Sequence, residues 1–233
     1  MLNKIAAHKA LLVFTLLFLP LTLWLGFWQL DRVEQKRQLI ASLTALEQPL
    51  VIAAGQNVSD LLDLQRVTLQ ASFIKPFVWF KDNQVVNGQV GYDLVALVKV
   101  GADLLLVNRG WFASHGQRDP LPTLSWLEGS MSLTGRLVPI QANPYQLAAD
   151  VYTGQYPQLV QAFDLPQLQN QLKQPLLPWV LKLDAPSPAL LVPHWRASTM
   201  TPEKHLGYAW QWFGLALTLC LLYIYRVFFA TSD

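Results

Sequence analysis

The sequence predicts a membrane protein of the α+β class: two transmembrane helices, one N-terminal and one C-terminal, flanking a β-rich antiparallel barrel or sandwich domain with a helical insertion. Three observations carry this expectation. Ala10 to Leu30 and Leu206 to Tyr225 contain no Asp, Glu, Lys or Arg, and at ~1.5 Å rise per residue each is long enough to cross a ~30 Å hydrocarbon layer. The chain between them breaks into short apolar runs separated by Asn-, Asp- and Gly-containing turns. One stretch, 157–172, has helical rather than alternating spacing.

The first span lies between Lys9 and Asp31 and is rich in Leu, Phe and Trp. It is long for the apolar core of a signal peptide, and Trp24-Leu25-Gly26-Phe27-Trp28 offers no small-residue cleavage site, so it is expected to remain as an anchor. Pro20 removes one backbone donor in mid-helix, which predicts a kink there. Beyond the span, Val33, Ile40, Leu43 and Leu46 recur at helical spacing until Pro49, so the helix should continue as an amphipathic stalk.

Strands are expected over Arg66 to Ile74, Phe77 to Lys81, Tyr92 to Val100, Leu104 to Phe112, Met131 to Val138, Trp179 to Leu183 and Leu190 to Trp195. The turn chemistry agrees: Asp82-Asn83, Asn87-Gly88, Gly101-Ala102 and Glu128-Gly129 fall between the runs, where reversal needs φ > 0 or a local side-chain hydrogen bond. Leu94 to Val100 and Leu104 to Val107 read as one hairpin. In 157–172, Leu159, Val160, Phe163, Leu168 and Leu172 suggest one or two helices interrupted at Pro166.

Composition is consistent with this division. The chain has 233 residues, 52% of them hydrophobic, and a mean hydropathy of +0.27. That excess sits in the two apolar runs, leaving about 170 residues for one compact domain. The expected boundaries are a tail over 1–9, a span over 10–30, a domain over 31–204, a second span over 205–225 and a tail over 226–233. A net charge of +2 from 17 basic and 15 acidic residues leaves no sustained basic patch, which argues against nucleic acid as a partner and leaves the lipid bilayer as the first one. Cys220, the only cysteine, lies inside the second span, so no C-x-x-C or intrachain disulfide exists. Two spans put both tails on one side of the membrane. Lys and Arg near the span ends favour a cytoplasmic domain by count, a weak guide where a large domain is concerned.

His205, Tyr208 and Trp212 are spaced by three and four residues, so they share a helical face at the mouth of the second span. A neutral imidazole above aromatic rings suits a metal-bearing macrocycle. An interfacial aromatic belt, with His205 among headgroups, accounts for the same residues at least as well. Trp24 and Trp28 stand at i and i+4 near the end of the first span, and Arg32 and Lys204 flank that level as candidate partners for an anionic group. Arg109, in Asn108-Arg109-Gly110-Trp111-Phe112, is expected to fix a strand corner rather than hold an anion. His8, His115 and His194 are scattered, and neither a nucleophile elbow, a phosphate-binding loop nor a zinc-binding helix motif is present. An enzyme is therefore not expected.

Three separated motifs resemble the Surfeit locus protein 1 family of cytochrome oxidase assembly factors. They are Gly26-Phe27-Trp28-Gln29-Leu30-Asp31-Arg32 with Lys36; Gly91-Tyr92 followed by Val107-Asn108-Arg109-Gly110-Trp111; and Pro202-Glu203-Lys204-His205-Leu206-Gly207-Tyr208-Ala209-Trp210-Gln211-Trp212-Phe213. Ala113 stands where the family often has proline, and Asn143 to Gln155 matches only loosely. The resemblance implies a non-enzymatic factor of the inner membrane, its domain facing the periplasm against the basic-residue count. It further implies that the factor binds haem a in transit and assists its insertion into the oxidase catalytic subunit, with haem a synthase as a second candidate partner. The family's haem-ligating histidine falls on His205, with Tyr208, Trp212, Trp24, Trp28, Arg32 and Lys204 as its surroundings. The alternative is a membrane scaffold that stabilises oxidase intermediates and binds no haem.

Overall fold

The computed structural model describes residues 9–53, 56, 58, 61–114, 121, 126–141, 150–195 and 200–229. The elements are α1 (Lys9–Ala45), β1 (Leu50–Ile52), β2 (Arg66–Val86), β3 (Gln89–Val100), β4 (Asp103–Ala113), β5 (Ser130–Pro139), β6 (Gln158–Val160), α2 (Leu165–Leu172), β7 (Leu176–Leu183) and α3 (Pro202–Phe228). The chain divides into two compact units, Met1–Ser42 with Ala197–Asp233, and Leu43–Arg196.

The first unit contains α1 and α3, both long and apolar enough to cross a membrane. Helix α1 runs unbroken through Pro20 for 37 residues and carries the expected stalk. Thr22 Oγ1 donates to the carbonyls of Phe18 and Leu19, and Thr15 Oγ1 to that of Leu11. These hydroxyls are satisfied within the helix, as an apolar surrounding requires. Helix α3 opens with Pro202 in its first turn, where the missing N–H costs nothing. Glu203 in that turn and Arg226 in the last complement the helix dipole.

The buried positions of α1 are Thr15, Thr22, Gly26, Gln29 and Val33, and those of α3 are Pro202, His205, Ala209, Ala216 and Val227. The α1 set is rich in small residues, with Thr15, Thr22 and Gly26, and the α3 set includes Ala209 and Ala216, side chains that let helices approach closely. The helices touch where the Phe213 ring lies over Gly26, so close that a Cβ there would clash. Phe27 meets the same ring edge-on at 5.3 Å.

The second unit is a seven-stranded sheet. Strand β2 is its organiser. Its first half pairs with β1 in parallel and β5 in antiparallel register (Thr68 opposite Val51 and Thr134). Its second half pairs with β3 and, in parallel, with β6 (Phe80 opposite Leu94 and Leu159). The path continues β3–β4–β7–β5 and returns to β2, a closed circuit of pairings. The predicted β-rich domain is present, but its strands are mixed rather than antiparallel. The pairings β1–β2, β2–β6 and β4–β7 are parallel because crossovers through α2 and the long connections bring strands back in the same direction.

Alternation along the circuit sorts the apolar residues into faces. Val67, Leu69, Val98, Leu105, Val107, Leu133 and Leu181 join one core cluster. On the opposite face, Trp79, Val95, Leu97, Leu106 and Val180 pack with Phe163 and with Leu168 of α2.

Several local expectations are revised. The runs 66–74 and 77–81 form one strand, with a register shift between Phe73 and Val78. Pro166 lies in the first turn of α2 and begins the helix instead of interrupting it; Asp164 Oδ1 caps it by accepting from Gln167 N. The residues before it, 158–160, are strand. Of the expected strand 190–195, only Val192 is bridged, to Trp111. The turn at Asn87-Gly88 is as predicted, with φ of 50° and 78°.

Candidate functional site

The first unit holds the helix-mouth residues singled out by sequence. His205 is 6% exposed, and its Nδ1 lies 2.8 Å from the side-chain oxygen of Gln29 on α1. An amide oxygen only accepts, so in this contact Nδ1 is the donor, and in the neutral ring Nε2 is then the lone pair. That Nε2 is buried and has no hydrogen-bond partner. A fixed tautomer with a free, inward-held ring nitrogen is the arrangement in which a second residue orients a metal ligand.

The other predicted residues distribute around this pair. Trp212 is partly buried, while Tyr208 is 42% exposed. Trp24 lies two residues from Gly26, roughly 200° round the helix, and is 61% exposed. Trp28, also outward, carries the Arg32 guanidinium at 5.3 Å over its ring. Arg32 Nη1 donates to Gln35 at 2.7 Å, and its Nε is buried without a partner. Lys204 is exposed. The structure thus joins His205 to a residue sequence reasoning left without a role, Gln29, whose signal was its place in the first motif. His8 and His115 lie outside the described residues.

The second unit contains a polar cluster that sequence reasoning missed. Asp93 is 1% exposed within the apolar strand β3. Asn108 Nδ2 donates to its Oδ2 at 2.6 Å, Lys182 Nζ reaches the same oxygen at 3.4 Å, and His194 Nε2 bonds Oδ1. Burial pushes the Asp93 carboxyl up, but the Lys182 ammonium, His194 and the Asn108 amide more than offset it, so its pKa falls below the ordinary value. Burial lowers the Lys182 ammonium to about 8, against the pull of Asp93 and with Lys81 adding repulsion.

The middle motif builds this cluster. Asn108 Oδ1 accepts from Gly110 N at 2.7 Å, which holds the register shift opposite Asp93 and Val95. Gly110 adopts φ 113° with the Val192 carbonyl where a Cβ would project, a conformation and a space that only glycine fits. Gly91 lies under the Trp111 indole, and Trp111 Nε1 donates to the Gln84 carbonyl at 3.1 Å. Arg109 is structural, as expected: Nε donates to the Ala189 carbonyl at 2.9 Å and the guanidinium stacks over Phe73. Beside the cluster a cavity of about 530 Å³ opens, lined by Lys81, Asp93, Lys182 and His194 among others.

Comparison with known proteins gives a consistent match. The family model described as the SURF1 family covers residues 16–217. A SURF1-like protein of Rickettsia felis is 29% identical over 216 residues, 87% of this chain and 90% of that relative. Its counterpart in Rickettsia bellii is 29% identical over 231 residues, 94% and 91% of the two chains, and that of Rickettsia conorii 28% identical over 216 residues, 87% and 85%. The matched region takes in all three motifs, the Gln29–His205 pair and the whole sheet domain, and the chain belongs to the SURF1 family, consistent with a role in cytochrome oxidase assembly.

Proposed function

We propose that the chain is a non-enzymatic assembly factor of the inner membrane that holds haem a in transit to the catalytic subunit of haem-copper oxidase. In this reading both helices cross the bilayer and the sheet domain faces the periplasm. The observation that carries it is the buried, partnerless Nε2 of His205, with Gln29 fixing the tautomer that leaves this nitrogen free.

Bound haem a would supply an iron centre able to take a nitrogen ligand from the protein. His205 would hold it through Nε2, Arg32 or Lys204 would meet its carboxylates, and Tyr208 and Trp212 would contribute aromatic surface; Trp24 and Trp28, on the face of α1 turned away from α3, would lie outside this pocket. The buried Arg32 Nε, also without a partner, suits an anionic group. At 6% exposure His205 is closed off, so the helices must part locally before the ring is reached. That parting would break the Gln29–His205 contact. One strong protein ligand also favours onward transfer to a recipient offering two.

A second reading is favoured by the same burial: His205 and Gln29 form an inter-helix clamp in a scaffold that never touches haem. Purification of the full chain with haem a supplied, as wild type and as His205→Ala, separates the two. Soret absorbance in the wild type that is lost in the variant supports ligation; equal absorbance in both overturns it.

A further inference from the structure

We infer that the cavity of the sheet domain is a binding site for an amphipathic monocarboxylate, its head between the ammonium groups of Lys81 and Lys182 and its apolar body against Phe163, Ile140, Val138 and Val180. The volume, about 530 Å³, lies within the usual range for small-molecule sites. The lining combines the apolar and charged groups that such a ligand requires. The four apolar residues are part of the lining, and Lys81, Asp82, Asp93, Lys182 and His194 are the ionisable groups that face the space, from β2, β3, β7 and the segment after it.

Counting hydrogen-bond capacity fixes the sign of the ligand. Asp93 already accepts from three donors. Asp82 accepts from Asn83 N at 2.8 Å. Lys182 uses one of its three N–H groups, in a 3.4 Å contact, and its side chain is only 15% exposed. Lys81 sits directly opposite Asp93 in the strand register, and among the described residues its Nζ makes no hydrogen bond or ion pair. Among the charged groups of the lining the unused capacity is therefore cationic and donating, on two like charges close enough to perturb each other. An anionic head would relieve that repulsion and take the free N–H groups. Asp82 and Asp93 stand beside the same space, so a single negative charge is favoured over a dianion.

The test uses the full chain in a sugar-headed detergent, titrated calorimetrically with sodium octanoate, 1-octanol or inorganic phosphate at pH 7. Octanoate should bind saturably, and octanol and phosphate at least about tenfold more weakly, since each lacks one half of the recognised chemistry. Lys81→Met keeps the alkyl stem and touches no hydrogen bond, so it should fold normally, weaken octanoate about tenfold and leave octanol unchanged. Octanoate affinity should also decline above pH 8 as Lys182 loses its proton. Octanol binding as tightly as octanoate, tighter binding of phosphate, unchanged octanoate affinity in Lys81→Met, or no saturable octanoate binding would each overturn the assignment.

Discussion

Replacing Asp93 by alanine removes the acceptor for three donors and leaves the Lys182 ammonium, 15% exposed, without its counter-ion. Breaking one partner of a buried pair typically costs about 3–5 kcal/mol. The Asn108 amide, held at 2.6 Å, also loses this acceptor. We therefore expect the sheet domain to be destabilised by about 4 kcal/mol at pH 7, measured by urea unfolding of the full chain in detergent and followed by tryptophan fluorescence. The pH dependence gives a second signature. In the wild type the Asp93 carboxyl is held below its ordinary value. Its stabilisation is complete above about pH 4 and disappears as pH falls through the folded value, because the unfolded chain takes up the proton first. Lys182 shifts the other way: its folded value of about 8 lies below the 10.5 of a free lysine, so the cost of burying its charge is full below pH 8 and is relieved as pH rises from there. Without Asp93 the lysine sheds its proton at still lower pH. The stability gap between wild type and Asp93→Ala should accordingly shrink between pH 6 and pH 9. A loss below about 1 kcal/mol at pH 7, or a gap constant across that range, would refute the buried-pair account.

Gly26→Val sets a branched side chain into the Phe213 ring; overpacking of this kind costs about 1–3 kcal/mol and should lower the yield of cross-links between cysteines placed on α1 and α3, while the sheet domain unfolds as in the wild type. Gly135→Ala places a methyl against the Lys182 backbone carbonyl, which cannot rotate away, so the domain should lose at least about 2 kcal/mol in the same urea experiment. Gln29→Leu keeps the volume of the buried side chain but removes the acceptor for His205; with the tautomer no longer fixed, haem a affinity read by Soret titration should fall about 10- to 100-fold, and an unchanged value would show that Gln29 does not orient the ligand.

Which features were legible in the sequence follows from how local their causes are. The membrane-length helices could be read because an uncharged run is a contiguous signal, and the Asn87-Gly88 turn because its positive φ values restrict two adjacent residues. The parallel pairings could not: β4 meets β7 through Val107 and Leu181, and nothing near either residue encodes the direction of approach. Val192 mimics a strand residue because it is apolar among apolar neighbours, yet only one bridge supports it. Pro166 looked like a breaker since proline reads alike at the start and in the middle of a helix until its capping residue, Asp164, is recognised. At the candidate sites the imidazole was visible from its motif, but its Gln29 partner came from the opposite end of the chain. The Asp93 cluster draws on four distant segments; its one local signal was a carboxylate in an otherwise apolar strand.

The closed circuit of strands also constrains when this domain can exist. Strands β2, β3 and β4 follow one another through short turns and can assemble as soon as they are made, but the loop is shut only when β7 arrives to join β4 to β5. Until then β4 presents an unpaired edge, and Asp93 faces Asn108 without Lys182. A chain that has not yet supplied β7 therefore carries an open, adhesive sheet edge, and the domain closes only with its last strand.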